Sequence, residues 1–515
     1  MVFHIVHIFF HRCYVNRKWR KCSRFVAKCL VKGKSFRRMH NFYFASSHSS
    51  LSGWKGANMS EPIAAVATGP APSAIGVLRL SGDGVIPLAD SLFRSARGVT
   101  LQKSESRRLI FGSLLDGEGR ILDQVLATVS RAPHSYTGED TVEFQCHGSP
   151  AVLALGMEAL CALGVRPAGP GEFTRRAFLN GKLDLTAAEA VMDLIDAETE
   201  EAVHQAAGQL SGALCRRVDA VYDALVNVMA HFHAVLDYPD EDIDPFTQKE
   251  LVSALDAQSA ALSALLDTYG QGRLIASGAA CAIVGRPNAG KSSLLNALLG
   301  YERAIVTPIA GTTRDTVEER LRLGGVLLRL IDTAGLRNTS DEAERQGVAR
   351  SRSAAQQAEL VLAVVDASRP LEEEDLSALA LAQSAPRGIL VLNKSDRPAL
   401  LNQEDLSARF SLPAVSLSAL TGDGIPALQQ LVFSLFPRED SALSGEWLTN
   451  ARQADAARRA LQSLSDARSG LSSGFTLDAV LTDVEAALSA LGELTGKTLR
   501  SDITDRIFSR FCVGK

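Results

Sequence analysis

The sequence predicts a multidomain chain that combines α/β and all-α parts. Three observations predict it. From Ile63 to about Val165, short alternating apolar runs separated by turn residues read as a mixed α/β domain. Leu183 to about Tyr269, and again Ala451 to Leu494, are rich in Ala, Leu, Glu and Gln with apolar residues at helical spacing. Between these stretches lies a strand, a glycine-bearing loop and a helix of the phosphate-loop kind. The expectation is an N-terminal α/β domain and a discontinuous helical domain with a P-loop α/β domain inserted in it. Chains tolerate this when the two ends of the insert lie close together. The expected boundaries are 1–58 for a leader outside the fold, 59–175 for the N-terminal domain and 176–275 for the first helical part. The insert takes 276–437 and the second helical part 438–515.

A length of 515 residues suits roughly three or four domains at ~150 residues each. With 46% hydrophobic and 22% charged residues the composition is that of an ordinary globular protein. No run of about 18 apolar residues occurs, so no transmembrane helix is expected. The net charge of −4 hides an asymmetry: residues 1–58 hold twelve Lys and Arg and no acid, leaving 42 basic against 58 acidic residues in the rest. Such an acidic body argues against broad nucleic-acid affinity and leaves only a local basic patch for RNA.

The leader reads either as an Arg-rich, acid-free transit peptide or as sequence upstream of a start at Met59. Its Trp19, Trp54 and clustered His favour the second reading. Cys146, Cys161, Cys215, Cys281 and Cys512 lack C-x-x-C spacing, which predicts a reducing compartment with no disulfide framework or zinc site.

In the N-terminal domain, Ser73–Leu80 and Thr141–Cys146 read as strands and Ala151–Leu163 as a helix. Arg108–Leu115 and Ile121–Val129 read as a hairpin turning at Asp116-Gly117-Glu118-Gly119. The loops Tyr136–Asp140 and His147–Pro150 stand out, although turn chemistry alone explains their Gly and Pro. The first helical part is expected to break at Tyr238-Pro239-Asp240-Glu241-Asp242, a solvated acidic turn, and to end at Gly270-Gln271-Gly272.

The insert opens on Ala280–Val284, an apolar strand, followed by Gly285-Arg286-Pro287-Asn288-Ala289-Gly290-Lys291-Ser292. This fits G-x-x-x-x-G-K-[ST], whose glycines let the backbone wrap phosphate at a helix N-terminus. Asn288, Ala289, Gly290, Lys291, Ser292 and Ser293 are its expected nucleotide contacts, with Lys291 on the β- and γ-phosphates and Ser292 on Mg²⁺. A helix, Ser293–Leu299, is expected to close at Gly300. The next segment is Thr307-Pro308-Ile309-Ala310-Gly311-Thr312-Thr313, in which Thr313 is the candidate switch threonine completing the Mg²⁺ shell. A hairpin should then turn at Gly324-Gly325. Asp332-Thr333-Ala334-Gly335 ends the strand Val326–Ile331, placing Asp332 toward Mg²⁺ and the Gly335 amide toward the γ-phosphate. Asn393-Lys394-Ser395-Asp396 follows the strand Ile389–Leu392, and Ser418-Ala419 follows in turn. The Asp396 carboxylate can accept two hydrogen bonds from guanine that adenine cannot offer. In this order, each at a strand end, the set predicts GTP binding.

Two departures bear on hydrolysis. Leu336 stands where many GTPases carry a water-orienting Gln, with Glu344 among the acids nearby. Asn288 stands where many phosphate loops have Gly, and a monovalent cation held by it and the 307–312 segment could supply the charge of an arginine finger.

Together, Gly171-Glu172-Phe173-Thr174-Arg175-Arg176-Ala177-Phe178-Leu179-Asn180-Gly181-Lys182-Leu183-Asp184-Leu185, the Tyr136–Asp140 loop, the Gly285–Ser292 loop and the terminal Cys512-Val513-Gly514-Lys515 resemble the tRNA-modification GTPases that act on wobble uridine. The resemblance spans about Pro62 to Lys515. Val513 and Ser149 depart from the family's usual Ile and Gly. The resemblance implies a cytoplasmic homodimer formed through the N-terminal domain, which binds 5-formyl-tetrahydrofolate through Arg79, Glu143, Lys182 and Lys515. It implies Cys512 as the reactive thiol, Glu344 as positioner of the attacking water, and K⁺ held by Asn288, Thr307, Ile309 and Thr312 beside Mg²⁺ on Ser292 and Thr313. It also implies a flavoprotein partner carrying FAD, and tRNA as the substrate modified at C5 of uridine-34 by a (carboxymethyl)aminomethyl group. A ribosome-assembly GTPase is the alternative, though the RNA-binding module usual there is not evident. A GTP-switched scaffold without chemistry is a third reading, disfavoured by the Cys512 terminus.

Overall fold

A computed structural model describes residues 60–237, 247–301, 319–331, 352–436, 445–498, 507–509 and 511–514. Several expectations lie outside these: the leader 1–58, the acidic turn 238–242, Thr307–Thr313, Asp332–Gly335, Leu336, Glu344 and Lys515.

The N-terminal part is a sheet backed by helices. Its strands are β1 (Ile63–Val66), β2 (Ser73–Ser81), β3 (Phe93–Ser95), β4 (Ile110–Leu115), β5 (Ile121–Ser130), β6 (Thr141–Gly148) and β7 (Arg166–Pro167). They lie in the order β3-β4-β5-β6-β2-β1-β7, with only β1 and β7 parallel. The alternation seen in the sequence puts Leu78, Leu114, Val125, Ala127 and Phe144 on one face. Helices α1 (Val85–Ser91) and α2 (Pro150–Ala162) contribute Val85, Leu153 and Leu160 to the same core. On the opposite face Phe111 and Leu126 sit directly across from one another and are exposed. Arg79 and Glu143 are likewise paired in register across β2 and β6.

Helix α3 (Glu172–Leu179) follows, then α4 (Leu185–Ile195), α5 (Glu200–Leu210), α6 (Ala213–Asp237), α7 (Gln248–Asp267) and α8 (Tyr269–Ser277). Their starts are written locally. Asp184 and Thr199 accept from backbone amides at the N-termini of α4 and α5, and Thr247 with Glu250 forms a capping box on α7. The expected end at Gly270–Gly272 is not observed, because α8 runs through both glycines to Ser277. Gly272 is there for close approach: a Cβ on it would lie 2.2 Å from the Leu448 carbonyl oxygen. Glycine lowers helix propensity, but packing decides here.

The inserted sheet comprises β8 (Ala279–Val284), β9 (Glu319–Leu323), β10 (Val326–Leu330), β11 (Leu360–Asp366), β12 (Gly388–Asn393) and β13 (Ala414–Ser416). Its order is β13-β12-β11-β8-β10-β9, parallel except for β9. The near-continuous apolar runs of β8, β11 and β12 are buried along their whole length, as a sheet covered on both faces requires. The covering helices are α9 (Lys291–Tyr301), α10 (Glu373–Ser384), α11 (Gln403–Phe410) and α12 (Ile425–Leu435). Helix α9 passes Gly300 by one residue. The β9–β10 hairpin turns at Gly324 and Gly325, both at positive φ, as the sequence predicts.

The chain returns to helix as α13 (Ala451–Ser472) and α14 (Leu477–Thr495). The single stretch expected over 451–494 is thus two helices, broken where Gly474 takes φ 75°. Leu225 of α6, Leu262 of α7, Leu464 of α13 and Val484 of α14 share one buried core. Helical segments on both sides of the insert therefore form one discontinuous helical domain. Among the described residues no helix is long and apolar enough to cross a membrane.

Candidate functional site

The glycine loop joins β8 to α9, so it leaves the carboxyl end of a central parallel strand, where ligands bind in such sheets. Gly285 and Gly290 take positive φ. A Cβ on Gly290 would fall 2.1 Å from Asn393 Nδ2, so only glycine lets this loop approach β12. Lys291 Nζ donates to the Gly285 and Arg286 carbonyls, both at 2.8 Å, which folds the ammonium back over the loop.

Asn393, Lys394 and Asp396 lie on a loop beside the one that carries Ser418 and Ala419. Asn393 Nδ2 donates to the Ala289 carbonyl at 2.9 Å, and its Oδ1 accepts from the Ala419 amide at 3.0 Å. Asn393 therefore ties the phosphate loop to the Ser418-Ala419 loop. Ser418 Oγ donates to Asp396 at 2.6 Å and, as the leading cause, holds that carboxyl below its usual range, so it stays an acceptor. Lys394 Nζ reaches the Asn288 carbonyl at 2.8 Å and Asp366 at 2.6 Å.

Asn288 has φ 59°, a left-handed conformation that costs a non-glycine residue roughly 1–2 kcal/mol. This accounts for glycine being common at that position and for Asn, which tolerates the region best, being acceptable. A cavity of about 410 Å³ opens beside the loop, lined by Asn288, Lys394, Asp366, Arg286, Arg369 and Glu372 among others. Arg286 is buried there, bonded to Glu372 and 3.5 Å from Asp375. Asp366 and Arg286 were not singled out from sequence. The signal for Asp366 was present: an acid closing the apolar run Leu360–Val365 sits where β8 and β12 also end.

A second constellation lies on the N-terminal sheet. Arg79 Nε donates to Glu143 at 2.7 Å, and an Arg79 NH group donates to the Gly514 carbonyl at 3.2 Å. The Arg79 guanidinium lies 5.9 Å from the Tyr136 ring centre and 5.8 Å from that of Phe173. Tyr136 is fixed in turn by its hydroxyl, 3.0 Å from Thr174 Oγ1. Beneath it, buried Arg176 bonds Glu139 of the Tyr136–Asp140 loop at 2.9 Å and Glu172 at 3.0 Å. Lys182 is exposed, and its stem lies against Gly138 of the same loop.

Residues 511–514 pack against this constellation. Gly171 N–H donates to the Cys512 carbonyl at 3.3 Å, and Pro170 and Val513 form an antiparallel bridge. Gly514, at φ 103°, passes so close that a Cβ would lie 2.5 Å from the Val66 carbonyl. Cys512 is a partly exposed free thiol. Burial, joined by nearby acids at the first two, pushes Cys146, Cys215 and Cys281 each up to about 12, which keeps them inert.

A parallel sheet with a Gly-Lys-Ser phosphate loop, an Asn-Lys-x-Asp loop on a neighbouring strand and a Ser-Ala loop beside it defines a GTPase of the phosphate-loop class. Comparison with known proteins narrows this. The profile of the GTP-binding protein TrmE N-terminus matches residues 62–182, and that of the MnmE helical domain matches residues 185–512. The tRNA modification GTPase MnmE of Symbiobacterium thermophilum is 45% identical over 457 residues, covering 88% of this chain and 99% of the relative. Its counterpart from Thermus thermophilus is 45% identical over 460 residues, covering 89% and 100%. The chain belongs to the MnmE family of tRNA modification GTPases.

Proposed function

We propose that this chain is a K⁺-dependent GTPase that, with a flavoprotein partner, adds a (carboxymethyl)aminomethyl group to C5 of uridine-34 in certain tRNAs. The observation that carries the reading is the docking of the tail, in which Arg79, paired with Glu143, donates to the Gly514 carbonyl two residues beyond Cys512. A guanidinium flanked by Tyr136 and Phe173, with a carboxylate beside it, suits a ligand that is both anionic and flat. Arg79, Glu143 and Lys182, with Lys515, would hold 5-formyl-tetrahydrofolate. The folate supplies a one-carbon unit when bound. Cys512 would supply the thiol, and Arg79, bonded to the Gly514 carbonyl, would orient the ligand while keeping the tail in place.

On the nucleotide side, Lys291, Ser292 and Ser293 with Asn288–Gly290 would take the phosphates. Asn393, Lys394 and Asp396 with Ser418 and Ala419 would take the base. Mg²⁺ would sit on Ser292 and Thr313, and K⁺ on Asn288, Thr307, Ile309 and Thr312, with Asp332–Gly335 and the Pro308-Ala310-Gly311 backbone closing around them. Glu344 would orient the attacking water. The exposed Phe111 and Leu126 pair supports a homodimer through the N-terminal sheet. FAD belongs to the partner in this reading, and the setting is the cytoplasm. The domain limits proposed remain 59–175, 176–275, 276–437 and 438–515, with 1–58 a leader.

The test is nucleoside analysis of tRNA from a deletion strain carrying this chain. Restored modification of uridine-34, together with 5-formyl-tetrahydrofolate retained by the purified protein, is the expected result. Unmodified uridine-34 beside normal GTP hydrolysis would overturn the reading.

A further inference from the structure

Among the described residues, Arg107, Asn288, Lys394 and Ser411 are the non-glycine residues at positive φ. Two of them are bonded to each other. Asn288, at φ 59°, offers its carbonyl to the ammonium of Lys394, itself at φ 66°. Strained backbone persists only where its surroundings over-determine it. The question is what holds this pair.

Asp366 is placed to do so. It is the last residue of β11, which pairs with β8 on one side and β12 on the other. The phosphate loop leaves β8 and Lys394 leaves β12, so Asp366 stands between the two loops. It is 2% exposed. Its Oδ1 accepts from the Ser368 amide at 3.0 Å and the Ser368 hydroxyl at 2.7 Å. Its Oδ2 accepts from Lys394 at 2.6 Å. Ser368 therefore fixes the carboxylate independently of the lysine, and the ammonium is held between a fixed carboxylate and the Asn288 carbonyl. Burial alone would raise the Asp366 pKa, but the hydrogen bonds from Lys394 and Ser368 outweigh it and hold the group at about 2, fully ionised at neutral pH.

We propose that Asp366 is a positioning residue for nucleotide binding, acting through Lys394 to keep Asn288 in the left-handed conformation that shapes the phosphate loop. The inference rests on the family's nucleotide binding and not on the folate or K⁺ readings. Asp366 touches neither base nor phosphate in this scheme. Its effect is on the ground state, so it should weaken GDP and GTP alike.

The experiment is stopped-flow dissociation of fluorescent GDP and GTP analogues from the full-length protein. Asp366→Asn keeps the bonds to Ser368 but removes the charge facing Lys394. Dissociation of both nucleotides should quicken by about tenfold to a hundredfold, as loss of a charged hydrogen bond implies. Asn288→Gly is the discriminating second change, because glycine adopts positive φ without strain. Because Asn288 is itself a nucleotide contact, Asn288→Gly serves as its own reference, and in that background Asp366→Asn should change dissociation by no more than about twofold. A purely structural role for Asp366 would not be relieved by a glycine in another loop. Parental dissociation in Asp366→Asn, or an acceleration by Asp366→Asn as large in the Asn288→Gly background as in the parent, overturns the proposal. Should Asp366→Asn fail to melt like the parent, Asp366→Ser is measured with and without Asn288→Gly under the same two criteria.

Discussion

The nucleotide site and the site around Arg79 are built in opposite ways. The first is local: its described residues all come from loops at the carboxyl ends of β8, β11, β12 and β13, adjacent parallel strands of one sheet. The second joins the two ends of the fold, since Arg79 and the Gly514 carbonyl it bonds are 435 positions apart. A local site is positioned by its own sheet and survives changes elsewhere. A site closed by a docked tail depends on every contact that seats the tail. Among the described residues, the contacts that seat the tail include two backbone pairings at Gly171 and Pro170, the Arg79 bond, and the packing of Phe508 and Phe511 against one another and against α4. The two sites should therefore be separable by mutation, and separable in one direction most easily.

The largest separation is expected at Cys512. Cys512→Ser should abolish modified uridine-34 in a deletion strain while GTP turnover stays near the parent rate, because the thiol belongs to the tail site alone. Full modification by this variant would reduce Cys512 to a structural part of the tail.

The next effect breaks the comparison from the other side. Glu344→Ala should slow GTP hydrolysis about a hundredfold with nucleotide affinity nearly unchanged, as for loss of a general base. Hydrolysis in KCl should far exceed that in NaCl, and the difference should vanish in a variant lacking the Asn288 side chain. The structure decides which variant to use. Asn288→Ala would put a Cβ-bearing residue with no polar side chain at φ 59°, mixing strain with loss of the oxygen, whereas Asn288→Gly removes the oxygen alone. Equal rates in the two salts, or a Glu344 variant at the parent rate, would refute this mechanism and leave GTP binding standing.

A smaller effect sharpens the claim about the tail. A methyl on Gly514 would lie 2.5 Å from the Val66 carbonyl, at a φ that side chains resist. Gly514→Ala should lower 5-formyl-tetrahydrofolate affinity about tenfold, consistent with the roughly 1–3 kcal/mol that overpacking costs. GTP turnover should be untouched. Unaltered folate binding in isothermal titration would show that the tail does not close the site.

The same contrast explains what was legible in the sequence. The nucleotide strands and loops could be read because Gly285–Ser292, Asn393–Asp396 and Ser418-Ala419 each carry their own chemistry at short range. The discontinuous helical domain was legible from periodicity on either side of the insert. What was not legible depended on contacts between distant segments. Gly272 looked like a helix terminator because the Leu448 backbone it approaches is 176 positions away. Asp366 looked like a loop acid because its meaning comes from Lys394 and Asn288 together. Residue types alone could not place Arg79 and Glu143 with the tail, and only the resemblance suggested it.

The smallest expected effect lies at the seam that joins the two regions. The segment entering α13 crosses α4 and α5: Gln205 and Gln209 donate to the Trp447 carbonyl, and Thr449 Oγ1 donates to Asp193 at 3.3 Å. From the inserted domain, Arg320 bonds Glu198 at 3.3 Å just beyond α4. Burial first, and then the neighbouring Glu189 carboxylate, raise Asp193 to about 6, while the Thr449 bond works the other way. Glu189 is itself held by Arg452, Asn450 and Gln453. The sign follows from linkage: a folded pKa above the unfolded value favours the native state most below about pH 4, and that contribution is lost as pH rises through about 6. Above that, an ionised Asp193 is paid for by the fold. Asp193→Asn keeps the acceptor for Thr449 and cannot ionise. It should raise the melting midpoint at pH 7.5, by a stabilisation on the order of 1 kcal/mol, and should give no gain at pH 4. A midpoint unchanged or lowered at pH 7.5 would mean that the carboxylate at this seam is better solvated than its surroundings indicate, and that the two regions are joined by a less strained contact than the one described.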